Sequence, residues 1–258
     1  MAQNNEKVPA TKAPAELPAY LQTDDTGVET IEPSDIVIPR IKIAQSTSHN
    51  AKKIITELKD GDVYNSLSNE SYGNKVNIFV LLYWKSRVWF TDDFKMRGTI
   101  YNDIVTREKV KFGSDTSYCE KHWDEGIDAY NYMVITEKEL QQSIKTNQIP
   151  FPSIFSCMSA AISSARQLNG KLKTNSLKRI PIYGQLTTIE TYEHKFKKGQ
   201  AFMPRFKYGR YATEEEFKFL KDFHNKCKEL QKRADVHVEE TEEKQEPVNT
   251  SEGDKTPF

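Results

Sequence analysis

Lys75-Val-Asn-Ile-Phe-Val-Leu-Leu-Tyr-Trp84 is the stretch on which the fold turns. Val76, Ile78, Val80, Leu82 and Trp84 share one parity, and Phe79, Leu81 and Tyr83 share the other. A strand alternates its side chains between two faces, so this one has two apolar faces. It reads as a central strand covered on both sides. Lys85-Ser86 predicts a short turn into a hairpin partner at 87–91, and residues 100–105, 108–112 and 130–135 predict further strands. Upstream, residues 36–44 alternate after Pro39 and predict a first strand or an extended clamp along a sheet edge.

Downstream the period changes. Cys157, Ala160, Ala161, Ser164 and Leu168 fall at helical spacing, with Ser156 as N-cap and Asn169-Gly170 as the stop. Residues 171–179 read as a polar linker. A strand at 182–192, a tip at 193–199 and a strand at 200–208 follow, with Pro204 placing the last at an edge or bulge. Thr213-Glu214-Glu215-Glu216 is a capping box that opens a helix running to about residue 233. Its stripe is Phe217, Leu220, Phe223, Cys227 and Leu230. The expected fold class is α+β, mainly β: an oligonucleotide/oligosaccharide-binding (OB)-like barrel with one inserted short helix and a C-terminal helix.

The chain has 258 residues, of which 37% are apolar, and its mean hydropathy is −0.71. That is polar for a globular protein and predicts unfolded segments. The formal net charge is zero, but the charge is segregated. Residues 1–36 hold two Lys against seven Asp/Glu, and 235–258 hold two Lys against eight. The intervening 37–234 carry 33 basic and 22 acidic residues. The expected organisation is a disordered acidic arm (1–36), a nucleic-acid-binding domain (37–234) and a disordered acidic tail (235–258). No apolar run approaches the ~18 residues of a bilayer span, and the N-terminus lacks a signal-peptide pattern. Three scattered cysteines argue against a disulfide framework. These features predict a protein of a reducing compartment.

Chemistry-bearing motifs are sparse. Cys119-x-x-His122 is half of a zinc pattern without a second pair, so no metal site is expected. No phosphate-binding glycine loop, nucleophile elbow or metalloprotease signature is present. Asp92-Asp93 and Asp124-Glu125 are acidic pairs of the kind that hold Mg²⁺ in nucleases, but each sits beside turn-like residues and reads as a solvated pair. The expectation is a non-enzyme without a cofactor.

The strongest signal is basic residues interleaved with aromatics. Within 141–213 stand 12 basic residues against only Glu190 and Glu193. Single-stranded nucleic acid needs cations for phosphates and flat rings for unstacked bases. Lys195, Phe196, Lys197, Lys198, Arg205, Lys207 and Arg210 form the proposed groove, with Phe196 at the hairpin tip as the stacking ring. Lys171, Lys173, Lys178 and Arg179 extend it from the linker. Trp84, Arg87 and Trp89 make a second candidate platform. Phe202, Phe206 and Tyr208, at period two, belong either to the core or to the stacking surface.

The chain ends Glu252-Gly253-Asp254-Lys255-Thr256-Pro257-Phe258. An acidic tail closing on Pro-Phe resembles the partner-docking tip of bacterial and phage-encoded single-stranded DNA-binding proteins, with Lys255-Thr256 where acidic residues and Ile are usual. The resemblance implies that Asp254, Pro257 and Phe258 dock replication or recombination enzymes. In the body, Ile38-Pro39-Arg40-Ile41-Lys42-Ile43-Ala44-Gln45, Asp60-Gly61-Asp62-Val63-Tyr64-Asn65 and Val80-Leu81-Leu82-Tyr83-Trp84-Lys85-Ser86-Arg87 resemble a family of uncharacterised tailed-phage proteins. That resemblance implies a phage origin.

The expected function is binding and protection of single-stranded DNA, with little sequence preference, in the host cytoplasm during phage replication or recombination. The expected partners are single-stranded DNA and enzymes recruited by the tail, with no membrane; homo-oligomerisation is left open. A phage assembly or host-takeover protein that binds an acidic protein is the alternative, and a metal-dependent nuclease or recombination enzyme is the third.

Overall fold

The computed structural model describes residues 38–233 except 93–94, 104–105 and 198. Asp93, Lys198, Asp254, Pro257 and Phe258, together with the arm and the tail, therefore lie outside the described residues. In chain order the strands are β1 (Arg40–Ile43), β2 (Val63–Asn65), β3 (Ser71–Gly73), β4 (Lys75–Phe90), β5 (Met96–Asn102), β6 (Lys109–Phe112), β7 (Ile127–Thr136), β8 (Ser153–Met158), β9 (Gln185–Phe196) and β10 (Gly199–Tyr211). The helices are α1 (His49–Ile54), α2 (Thr116–Lys121), α3 (Glu137–Thr146), α4 (Ile162–Leu177) and α5 (Glu214–Arg233). The architecture is mixed α/β and mainly strand. One sheet runs β10-β9-β4-β7-β8-β1-β2-β3, with β5 and β6 branching from β4. All pairings are antiparallel except β1 with β8.

β4 is the doubly covered central strand that its composition predicts, with one correction. In the pairing with β7, Val80 faces Val134 and Leu82 faces Met133, so Leu81 is an extra, bulged residue. A bulge places two successive side chains on one side and reverses the parity beyond it. Val76, Ile78 and Val80 therefore share a face with Tyr83, while Phe79, Leu81, Leu82 and Trp84 share the other. The expected turn at Lys85-Ser86 is absent: β4 runs on through it to Phe90. Ser86 is buried and accepts from Asn131 Nδ2 (2.9 Å), and Lys85 pairs with Asp128 (2.7 Å), so the polar pair is satisfied within the sheet.

The inner face carries Val76, Ile78, Val80, Tyr132, Val134, Phe155 and Ile189, plugged by Ala165 and Leu168 of α4. Phe206 of β10 meets Phe155 of β8 at 6.1 Å, although three strands separate the two in sheet order. The sheet must curl for that contact, with this face inside. The expected barrel is nevertheless not closed by a backbone ladder. Where β10 approaches the end of β1, Gln45 bridges the gap with its side chain. Its Nε2 donates to Phe202 O (2.8 Å), and Phe202 N–H donates to its Oε1 (2.8 Å). Gly61 lies beneath the Phe202 ring at φ +86°, where a Cβ would stand 2.5 Å from that ring.

The outer face carries Phe79, Leu82, Trp84, Met133, Ile135, Ile154 and Leu186, covered by Leu140 of α3 and by Leu220, Phe223 and Cys227 of α5. The α5 capping box forms as expected: Glu216 N–H donates to Thr213 Oγ1 (3.3 Å) and Thr213 N–H to Glu216 Oε2 (2.8 Å). Two helical expectations change. Ser156 is not an N-cap but a β8 residue donating to Asn131 Oδ1 (2.7 Å). Asn169-Gly170 does not stop α4, which continues to Leu177 through the expected linker. Gly170 faces open space, and a helix tolerates an exposed glycine at about 1 kcal/mol.

Candidate nucleic-acid interface

β9 and β10 form a long hairpin in which Phe196 pairs with Gly199. Leu186 belongs to the outer core, so Thr188, Glu190, Tyr192, His194 and Phe196 share its face by alternation. Arg205 pairs with Glu190 and Lys207 with Thr188, which brings both cations to that face. Beyond Leu186 the face is bare: Tyr192 is half-buried, His194 is exposed, and Phe196 is 42% exposed.

The three rings form a row. Tyr192 and His194 lie edge-on at 6.3 Å, and His194 and Phe196 at 4.5 Å. The Arg205 guanidinium stands 4.8 Å from the Tyr192 centroid. Lys75, Asn77, Thr188, Glu190 and Lys207 line an adjoining open hollow of about 350 Å³. Lys207 pairs with Glu190 at 2.7 Å and holds its carboxyl below the usual range. Arg205 and Lys75 supply the remaining positive charge.

The expected groove divides into two faces. Phe196, Arg205 and Lys207 share the outer one. Lys195 has the opposite parity, that of Phe202, Phe206 and Tyr208. Phe206 packs into the inner core and Phe202 over Gly61, so both are packing residues. Tyr208 is 38% exposed, donates to Gln167 O (3.3 Å) and lies under Lys171 Nζ at 5.3 Å. Lys173 and Lys178 are exposed on α4 and at its end, and Arg179 follows at φ +61°. These four cations accompany α4 on the inner side and do not continue the Arg205 face. Lys197 is exposed in the hairpin turn.

Trp84, Trp89 and Arg210 have other duties. Trp84 (5% exposed) and Trp89 (1%) are core side chains that present no ring to a base. Arg210 is held by Glu216 and Glu137 at 2.6–2.8 Å. Arg87 is half-buried and donates from Nε to Gly126 O (3.1 Å). Tyr192, His194 and Lys75 were not singled out by sequence. A period-two run of polar and aromatic residues next to Phe196 is the signal that could have found them.

Cys119 is buried, and His122 stacks on Tyr118 at 3.9 Å. Among the described residues no group of three His, Cys, Asp or Glu is placed to hold a metal ion. Nor is any helix among them long and apolar enough to cross a membrane.

A family model described as Pam3 phage gp34-like protein matches residues 7–233. The chain belongs to this family. The match spans the whole described sheet, in keeping with the phage origin implied by the Ile38–Gln45 and Val80–Arg87 stretches. No curated protein and no solved structure matches the chain.

Proposed function

We propose that this phage protein binds single-stranded DNA with little sequence preference, serving replication or recombination. The observation that carries this reading is the bare outer face of the β9–β10 hairpin. There the Tyr192–His194–Phe196 row lies beside Arg205, Lys207 and Lys75. Rings accept unstacked bases of any identity and the flanking cations meet the phosphates. The topology supports it once β5, β6, α2 and α3 are set aside as insertions: β4, β7 and β8, then α4, then β9 and β10, follow the three-strand, helix, two-strand order of an OB barrel. Such barrels bind oligonucleotides on a sheet face and its loops. Here α3 and α5 cover the outer face of β4 and β7, which leaves the hairpin end to the polymer. In this reading the tail ending at Phe258 recruits the enzymes that work on the bound strand.

The test is fluorescence anisotropy of labelled oligo-dT, without divalent metal, at several salt concentrations and against duplex competitor. Binding with a log–log salt slope of about −0.7 per phosphate contacted supports the reading. So does a loss of roughly tenfold in affinity for Phe196→Ala, within the range of one stacked base, at unchanged melting temperature. Preference for duplex, or no binding at low salt, overturns it.

A further inference from the structure

The segment between β6 and β7 builds a second aromatic–cationic cluster at the other end of β4. α2 is followed by a 3-10 turn, Trp123–Glu125, and Trp123 is 41% exposed. Trp123 lies over buried Trp89, ring centroids 5.4 Å apart, and the Trp89 indole N–H donates to His122 O (2.9 Å). The chain is pressed onto this floor. A Cβ at Gly126 would stand 2.6 Å from Trp89 Cε2 and 2.8 Å from Arg87 Cγ. The Arg87 guanidinium, fixed through Nε to Gly126 O, is 5.0 Å from the Trp123 centroid. Lys109 Nζ on β6 is 5.7 Å from the same ring.

The ion pairing around Trp123 distinguishes these two cations from their neighbours. Lys111 is paired with Glu120 and Lys85 with Asp128, both at 2.7 Å. Arg87 reaches a carboxylate only at 4.0 Å, on the Asp128 that Lys85 already engages. Among the described residues Lys109 has no carboxylate within ion-pair distance. A ring that served only to cover Trp89 would need neither cation. Arg87 and Lys109 lie over the Trp123 ring with neither in a close ion pair, so an unstacked base that takes their place on the ring brings phosphates for both.

We propose that Trp123, Arg87 and Lys109 form a second stacking station for single-stranded DNA, an inference that rests on the DNA-binding reading. Twelve residues of β4 separate Lys75 from Arg87, roughly 40 Å along the strand, so the station is distinct from the Tyr192–Phe196 row. Trp84 and Trp89 are buried, which makes Trp123 the exposed member of the chain's three tryptophans. Its fluorescence therefore reports on the station.

The experiment runs two readouts on the full chain with oligo-dT: anisotropy of the labelled DNA, and intrinsic tryptophan emission. The expected result is binding accompanied by quenching. In Trp123→Ala the quenching disappears and affinity falls about tenfold. In Lys109→Ala, which alters only an exposed strand residue, the log–log salt slope becomes shallower by about 0.7. Binding without quenching, with Lys109→Ala behaving as the parent, overturns the station while leaving the hairpin face intact. No anisotropy change in the parent overturns both.

Discussion

Arg210 shows how one residue can look like a ligand contact and be a structural one. It stands in the basic run, but its guanidinium meets both oxygens of Glu216 (2.6 and 2.7 Å) and one of Glu137 (2.8 Å). The Glu216 side chain is 2% exposed and also accepts from Gln141 Nε2 and Thr213 N–H. The capping-box glutamate thus does a second job, tying the end of β10 to α3 and α5. Arg210→Ala leaves this carboxylate buried without its cation and should destabilise the fold by about 2 kcal/mol at neutral pH, read from urea melts. The Arg210 guanidinium holds the Glu216 carboxyl below the usual carboxylate range. Its contribution is therefore full above the unfolded value, about pH 4.3, and is lost as pH falls through the depressed folded value. The gap between parent and Arg210→Ala should narrow in acid. DNA affinity should change little, because Arg210 faces carboxylates; a salt slope reduced by a full contact would return it to the interface.

At the scale of elements, the hairpin is held where Gln45 imitates a strand. Its amide supplies one donor and one acceptor to Phe202 in place of a ladder, and Thr191 Oγ1 donates to Gly61 O (2.6 Å) just beside it. Gln45→Ala removes two hydrogen bonds at a partly buried backbone and should cost about 1–2 kcal/mol. The Phe202 amide should exchange faster with solvent, while protection at Phe79 in β4 stays as it was. Uniform loss of protection across the sheet would mean that the bridge is part of the global core. Gly61→Ala tests the same corner, since a side chain there meets both a positive φ and the Phe202 ring.

The central strand, the edge hairpin and the α5 cap were legible because each depends on a local signal: two apolar parities, Pro204, and Thr213 with Glu216. What failed to show depends on partners distant in sequence. Lys85-Ser86 looks like a turn until Asp128 and Asn131 satisfy it within the sheet. The helical spacing of Cys157 to Leu168 mixes β8 with α4, because both bury small residues in the inner core. α3 was missed although Thr136 and Glu139 form a full capping box. At the site, Phe196 stood out between lysines, whereas Tyr192 and His194 join it only through strand parity. Trp123 is isolated among charges in sequence and gains Arg87 and Lys109 only once β4, β6 and the turn meet.

For the whole molecule the governing feature is charge segregation: a body of net charge +11 between segments of net charge −5 and −6. Opposite charges on one chain attract over a Debye length of about 8 Å at physiological ionic strength and further at low salt. On the proposed DNA-binding reading, the anionic segments compete with DNA phosphates for the same lysines and arginines. Removing residues 235–258 should raise affinity for oligo-dT, most strongly at low salt, with the difference shrinking as added ions screen both interactions. The comparison is made by anisotropy across a salt series on the full chain and the truncated one. Curves that coincide at every salt would show that the tail's charge does not reach the interface. Weaker binding after truncation would show that the tail supports the bound state. The proposal makes a further demand on the same series: truncation must leave the number of phosphates contacted unchanged at high salt, because every candidate contact lies within residues 75–207.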